Sequence, residues 1–394
     1  TGYPIIDVSM NGKSVKLEQH RYLLSSNSKV VRDSWTIPVH YSISGNDDKF
    51  MLLDKDKTGF DIGSGRYIKL NRMQKCPYRV SYPDDIIEAL GKRIRAGSMD
   101  YMDAWGIESD MFALARSSRI KAESYLDFIE GYCLNGKYPL DHSVSDHLNG
   151  LSVLLSSNKA LSDRIKKLII AYHSRLFKDL GWKEPANERN VSTLLRSKVI
   201  ASLGMNGYRQ VIGRAQEMFR HYVKTGEQLP KNIRGAVYMI NAWNGSRGTY
   251  NKFIQLYKKE TDPENKRRLL IAASNFRDPK IIKDALKFSL SKDVRPQDAF
   301  IPSAIVSGNE VGKGIIWDWL KPNWKELMKR YRGGTHMLKS FAGYLGTIDD
   351  PMTKSDIKRF FSKKANMRND MQRTLKQALE AIDANIKLKE FNGN

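Results

Sequence analysis

The seven histidines are the first place to look for chemistry in this chain. A zinc hydrolase needs two histidines one helical turn apart, a glutamate between them as general base, and a second glutamate as third ligand. None of the seven is followed by glutamate. His142 and His147, beside Asp141 and Asp146, have the composition of a metal cluster. Their i,i+5 spacing spreads the two rings over different helix faces. Pro139 and Gly150 point to a loop or helix start, so a capping role at the surface is expected. His20 and His40 occupy alternating strand positions, while His173, His221 and His336 stand alone; all read as structural or solvated. Gly63-Ser64-Gly65 lacks the flanking pattern of a nucleophile elbow and reads as a turn, and no Gly-x-x-x-x-Gly-Lys phosphate loop is present. The expectation is a chain with no catalytic residue and no metal ligand of its own.

What remains is a charged turn with a patterned neighbourhood. Pro296 disfavours helix at Arg295, and Asp298 is a suitable cap for a helix starting at Ala299. Ile301, Ile305 and Val306 recur at helical spacing until Ser307-Gly308-Asn309 stops the run. Helix resumes over residues 314–331, where Ile315, Trp317, Leu320, Trp324, Leu327 and Tyr331 offer bulk for burial. Trp317, Trp319 and Trp324 could form a recognition surface, but their spacing on one face favours core. The residues expected to face a ligand are Arg295, Gln297 and Asp298 at the entrance of this unit, with Arg277 and Lys313 in turns on either side.

Two kinds of element must position these groups. Up to about Tyr82 the signals are those of strands: Val15 and Leu17 alternate with Lys16 and Glu18, and Val39, Tyr41 and Ile43 with His40 and Ser42. Asn11-Gly12 reads as a type I′ hairpin turn, whose two central residues both need positive φ. Turn clusters at Gly45-Asn46-Asp47 and Gly63-Ser64-Gly65 separate shorter runs, which suggests a small β-sandwich. Pro83-Asp84-Asp85 then opens a helix, and the period stays helical through residues 107–116, 125–133, 161–177, 192–203, 208–222, 253–257, 269–273 and 371–386. Gly- and Pro-containing breaks separate these segments. Paired helices joined by short turns imply an α-solenoid of HEAT or armadillo character with no strict repeat consensus. The expected organisation is mainly α with a small N-terminal β-sandwich, divided into residues 1–83 and 84–394.

Composition narrows the class. At 394 residues, with 41% hydrophobic and 28% charged residues, the chain has the make-up of a globular protein with a large core. No apolar run approaches the ~20 residues that span a bilayer, so no membrane partner is expected. Cys76 and Cys133 are too few for a disulfide framework or a cysteine zinc site, in keeping with a reducing cytoplasm. The start, Thr1-Gly2-Tyr3-Pro4, carries no initiating Met and reads as the interior of a longer chain. Sixty-six Lys and Arg against 43 Asp and Glu give a net charge of +23. The bases are scattered, without an RNP-type aromatic run or a zinc finger, so nucleic acid is not an expected partner.

The order of residues resembles a known family. Arg295-x-Gln297-Asp298, Asn309-x-x-Gly312, Trp317-Asp318-Trp319-Leu320 and Asn323-Trp324 follow the pattern near the end of the M1 (gluzincin) zinc aminopeptidases. Gly2-Tyr3-Pro4-Ile5, Leu17-x-Gln19-x-Arg21-Tyr22, Trp35-x-Ile37-Pro38 and Tyr78-Arg79-Val80-x-Tyr82, with Asn71 and Gln74, fit that family's third domain. Trp105-Gly106 and Asp110-Met111-Phe112-Ala113 fit the opening of its helical fourth domain. Cys76-Pro77 stands where the family usually has Gly-Tyr. The closest likeness is to the archaeal tricorn-interacting-factor type and its eukaryotic relatives. The resemblance implies the C-terminal half of an enzyme that removes N-terminal residues from short peptides. Zinc and its ligands would lie in a catalytic half outside this sequence, and this half would close over it as a bowl. Partners so implied are the peptide, the enzyme's own catalytic domain and, in the archaeal case, a larger cytosolic protease that supplies peptides. The alternative is a stand-alone scaffold for an acidic protein or nucleic acid, which the charge favours and the landmarks oppose.

Overall fold

The computed structural model describes residues 2–24, 34–45, 47–63, 65, 67–133, 137–334 and 336–393. Thr1, and the Asn46 and Ser64 of the two expected turn clusters, lie outside the described residues. Seven strands come first: β1 (Pro4–Asn11), β2 (Ser14–Arg21), β3 (Ile37–Ile43), β4 (Lys49–Leu53), β5 (Lys57–Asp61), β6 (Ile68–Leu70) and β7 (Arg79–Ser81). The helices begin with α1 (Asp84–Arg95), α2 (Tyr101–Arg116), α3 (Ala122–Tyr132), α4 (Tyr138–Leu154), α5 (Lys159–Leu180) and α6 (Asn190–Met205). They continue with α7 (Arg209–Thr225), α8 (Arg234–Trp243), α9 (Arg247–Lys259), α10 (Pro263–Ala273) and α11 (Pro279–Ser289). The last are α12 (Phe300–Ser307), α13 (Ile316–Arg330), α14 (His336–Tyr344), α15 (Pro351–Phe361) and α16 (Gln372–Phe391). Among the described residues every strand precedes Pro83, where the sequence period changes.

The strands make two small sheets, ordered β5-β2-β1-β7 and β4-β3-β6. The β1–β2 hairpin differs from the sequence expectation by one residue. Asn11 pairs with Ser14, so the central pair is Gly12-Lys13, and only Gly12, at φ 59°, is left-handed. Register overrides turn propensity here: Val8 faces Leu17 and Met10 faces Val15. A one-residue slip would turn the fully buried Val15 and Leu17 outward.

The chain forms two compact units. The first runs to His147 and includes Glu390–Gly393; the second runs from Leu148 to Lys389. The first unit thus extends past the strand-to-helix change at Pro83. A buried charge network explains why: Asp103 and Asp110 on α2 reach the segment β6–β7. Asp103, fully buried, is paired with Arg72 and lies 3.6 Å from Lys69 Nζ; it also accepts from Met73 N at 2.7 Å. Asp110 takes Arg79 Nη1 at 3.2 Å and Val80 N at 3.2 Å. An added Cβ on Gly106 would fall 1.7 Å from Gln74 Nε2, so the Gln74 amide packs directly on the α2 backbone and a larger residue would have to displace it. The sequence landmarks Asn71–Tyr82 and Trp105–Ala113 are therefore two sides of one joint.

The second unit is a row of helices. Helix α6 packs on α5 and α8, α8 on α7 and α10, α10 on α9 and α12, and α12 on α11 and α14. Its core runs from Phe219 to Ile382 and contains Trp317 and Trp324, both nearly inaccessible. Their indole N–H groups donate to Asp356 Oδ2 at 2.8 Å and Asn366 O at 2.9 Å, which lets large amphipathic rings be buried without an orphaned donor.

Candidate functional site

The five residues expected to face a ligand do not form one cluster. Arg295, Gln297 and Asp298 follow α11, whereas Arg277 precedes it, so the two turns lie about 16 Å apart by the rise of its eleven residues. Asp298 does not cap a helix. Residues 296–298 form a 3₁₀ turn, α12 starts only at Phe300, and no side chain caps it. The buried Asp298 carboxylate instead accepts from Arg295 Nε at 2.7 Å and Nη2 at 2.6 Å, with Arg267 Nε at 3.6 Å from its other oxygen. The two charge-assisted bonds from Arg295 hold the carboxylate in place of a helix-capping role, and Arg267 adds a looser ion pair. Tyr331 closes the turn by donating to Pro296 O at 2.8 Å. Gln297 is exposed, and the Arg295 side chain is 40% exposed.

On the opposite edge of the row, Arg277 is exposed. It donates to Trp243 O at 3.2 Å, with its guanidinium over the Trp243 ring. Lys313 is buried: its Nζ donates to Val153 O at 2.9 Å and Asp349 Oδ2 at 2.5 Å, so its charge is spent as a brace inside the unit. Asn309 lies between these turns. Its amide donates to Phe276 O at 2.8 Å, and its Oδ1 accepts from Val311 N at 2.8 Å and Gly312 N at 3.2 Å. Asn275 and Asn244 act alike one and two helix pairs earlier, donating to Met239 O at 3.5 Å and Gly204 O at 3.1 Å. This asparagine series at successive helix C-termini went unnoticed in the sequence. The available signal was an Asn just beyond the last apolar residue of α8, α10 and α12.

In the first unit, His142 and His147 both sit inside α4, so the surface-capping expectation is corrected. Each has a carboxylate partner. His142 Nδ1 lies 3.3 Å from Asp146 one turn on. The His147 ring stacks on Phe112 at 3.6 Å, with Nδ1 2.6 Å from the fully buried Glu108. Glu108 also accepts from Tyr125 and Ser143 hydroxyls at 2.6 Å each. Ser143 therefore points its proton at a carboxylate and is no activated nucleophile. The sequence could not reveal this cluster, because Glu108 and Ser143 come from separate helices. Among the described residues no group of three or more His, Cys, Asp or Glu could hold a metal ion.

Asp110 has the most displaced carboxyl group of this unit. Burial pushes it up to about 7, against the pull of Arg79, Lys69 and the Val80 N–H. Burial also lowers the Lys69 ammonium. Since a free aspartate titrates near ~3.9, folded Asp110 holds a proton between pH 4 and 7 that the unfolded chain releases. Its contribution is full below ~4 and is lost as pH rises through 7. Thermal melts from pH 4 to 8 are expected to show a steeper alkaline loss in wild type than in Asp110→Asn. Parallel profiles would refute the assignment.

The family model described as ERAP1-like C-terminal domain matches residues 67–384. Aminopeptidase M1-B of Oryza sativa subsp. japonica is 28% identical over 97% of this chain and 45% of its own length. Puromycin-sensitive aminopeptidase of Caenorhabditis elegans is 23% identical, over 99% and 43% respectively. Alanine/arginine aminopeptidase of Saccharomyces cerevisiae is 24% identical, over 97% and 45%. The chain thus spans about half the length of the curated relatives it matches. Among the described residues no helix is long and apolar enough to cross a membrane.

Proposed function

Because the chain belongs to the ERAP1-like C-terminal domain family, we propose that it is the C-terminal half of a zinc aminopeptidase of the M1 class. It would shape the chamber in which short peptides lose their N-terminal residues. The observation that carries this reading is that relatives named as aminopeptidases match 97–99% of this chain. Zinc and its ligands would belong to a catalytic region outside this sequence. The same reading divides the chain into a β-sandwich over residues 1–83 and a HEAT- or armadillo-like α-solenoid over 84–394. The helix row and the asparagine series support the solenoid. The tricorn-interacting-factor type, peptide supply by a larger protease and a cytoplasmic location form the finer part of the proposal. They rest on the motif order and the two free cysteines.

In this role the chain's task is positioning and electrostatics. A peptide bound by its N-terminus still carries a carboxylate at its far end, and exposed cations on the helical wall would draw that end in and hold it. Arg277, Arg295 and Gln297 suit such contact by exposure, with Arg295 already oriented by Asp298. Lys313 and Asp298 do not suit direct contact, the first because its ammonium is buried against Asp349 and the second because it is a buried carboxylate.

The test is kinetic, on the full-length enzyme. Amidating the C-terminus of a peptide long enough to reach the wall is expected to lower kcat/KM about fivefold at low salt, the worth of a partly screened charge-assisted bond. Rising salt should shrink the difference, and Arg277→Ala or Arg295→Ala should remove part of it. Equal cleavage of amidated and free-acid peptides of every length would overturn the wall's role.

A further inference from the structure

Helices α9, α11 and α13 border an open cleft of about 730 Å³, a volume usual for small-molecule sites. Tyr250, Phe288 and Trp319 give it aromatic walls, and the Leu290-Ser291 turn closes it. Its polar groups are largely unused. Lys287 and Glu326 stand exposed at the cleft with opposite charge, and among the described residues neither is joined in an ion pair. Asp284, by contrast, is taken by Arg247. The Ser291 hydroxyl is buried and has no hydrogen-bond partner. Asn323 uses its amide N–H on Trp319 O at 2.7 Å and leaves its carbonyl oxygen for a ligand. A buried hydroxyl without a partner costs free energy. Lys287 and Glu326 are exposed and hydrated, so they cost nothing unpaired, but they offer a ligand two opposite charges.

We propose that this cleft binds a small zwitterion bearing an apolar or aromatic side chain, a free α-amino acid or a dipeptide. Its carboxylate pairs with Lys287 and, once the Ser291 side chain rotates its buried hydroxyl into the cleft, with that hydroxyl. Its ammonium pairs with Glu326 and the Asn323 carbonyl. Its side chain lies against Phe288, Tyr250 and Trp319, where a ring gains from offset or edge contact. The proposal goes beyond the peptidase reading and does not depend on it, because the site lies wholly within the second unit and its test is direct binding.

The experiment uses the chain labelled with ¹⁵N-tryptophan, the Trp319 indole signal being assigned with Trp319→Phe. The probes are L-phenylalanine, its amide, N-acetylphenylalanine and the dipeptide leucyl-phenylalanine. L-Phenylalanine or the dipeptide should shift the Trp319 signal saturably, and whichever binds tighter identifies the source. Lys287→Gln should weaken the zwitterion about fivefold or more without altering the binding of the amide. Glu326→Gln should weaken the zwitterion similarly and leave N-acetylphenylalanine unchanged. Both positions are exposed, so the variants should melt with wild type, and the comparison is made only if they do. Absence of any saturable shift, or equal affinities across probes and variants, overturns the proposal.

Discussion

Replacing Asp103 by alanine is expected to destabilise the first unit by about 3–5 kcal/mol, the usual consequence of removing one partner from a buried ionic cluster. The carboxylate has no solvent exposure and is the common partner of Arg72 and Lys69, whose own side chains are only 11% and 4% exposed. Without it, a guanidinium and an ammonium are left together in a dry environment, where each disfavours the other's charge. The backbone suffers as well. Asn71, Met73 and Gln74, on either side of Arg72, all have φ near 53–54°, left-handed positions in a short run that non-glycine residues avoid. Asp103 holds this run by accepting from Met73 N at 2.7 Å. Urea unfolding monitored by circular dichroism would measure the loss. Asp103→Asn, which keeps an acceptor but not the charge, should cost clearly less. A deficit below about 1 kcal/mol for Asp103→Ala would show the cluster to be energetically idle.

Gly312→Ala should be the most damaging small substitution in the second unit, at about 3 kcal/mol. A methyl group there would sit 2.1 Å from Val306 O and 2.9 Å from Val306 C. Those are backbone atoms at the end of α12, so no rotamer change relieves the clash. Moving the turn away would break the bonds from Val311 N and Gly312 N to Asn309 Oδ1, and with them the Asn309 link to Phe276. Gly314, two residues on, is the control: nothing lies within 4 Å of its virtual Cβ. Alanine there should fall within about 0.5 kcal/mol of wild type. If the two alanine variants unfold at the same denaturant concentration, the close approach at Gly312 carries no strain.

Much of the architecture could be read from periodicity. Val15 and Leu17 alternate because β2 has one buried face, and Asp84-Asp85 precede an apolar stripe that becomes the buried side of α1. Trp317, Trp319 and Trp324 were expected in the core. Trp317 and Trp324, seven residues apart, are buried. Trp319, two residues from Trp317 and so on another face, is only half-buried and lines the cleft. The motif order also sufficed to indicate the family, since glycines and buried acids mark positions where packing leaves no substitute. Asn309-x-x-Gly312 is such a case: its carboxamide closes a turn that admits no Cβ.

What periodicity could not supply was partnership across distance. Asp298 had a sequence suited to a helix cap, yet Arg295 bonds its carboxylate and Arg267, about thirty residues upstream, pairs with it, and no side chain caps α12. Lys313 read as an exposed cation until the packing of α4 and the Asp349 turn around it buried its ammonium. His147 read as a surface residue because Glu108 and Phe112, its partners, lie on α2. Local propensity and hydrophobic spacing act over a few residues, and so a single sequence determines which segments are strands or helices and which faces they bury. Charge pairing, side-chain burial and the cleft between α9, α11 and α13 depend on contacts between residues tens of positions apart. Those only the tertiary structure decided.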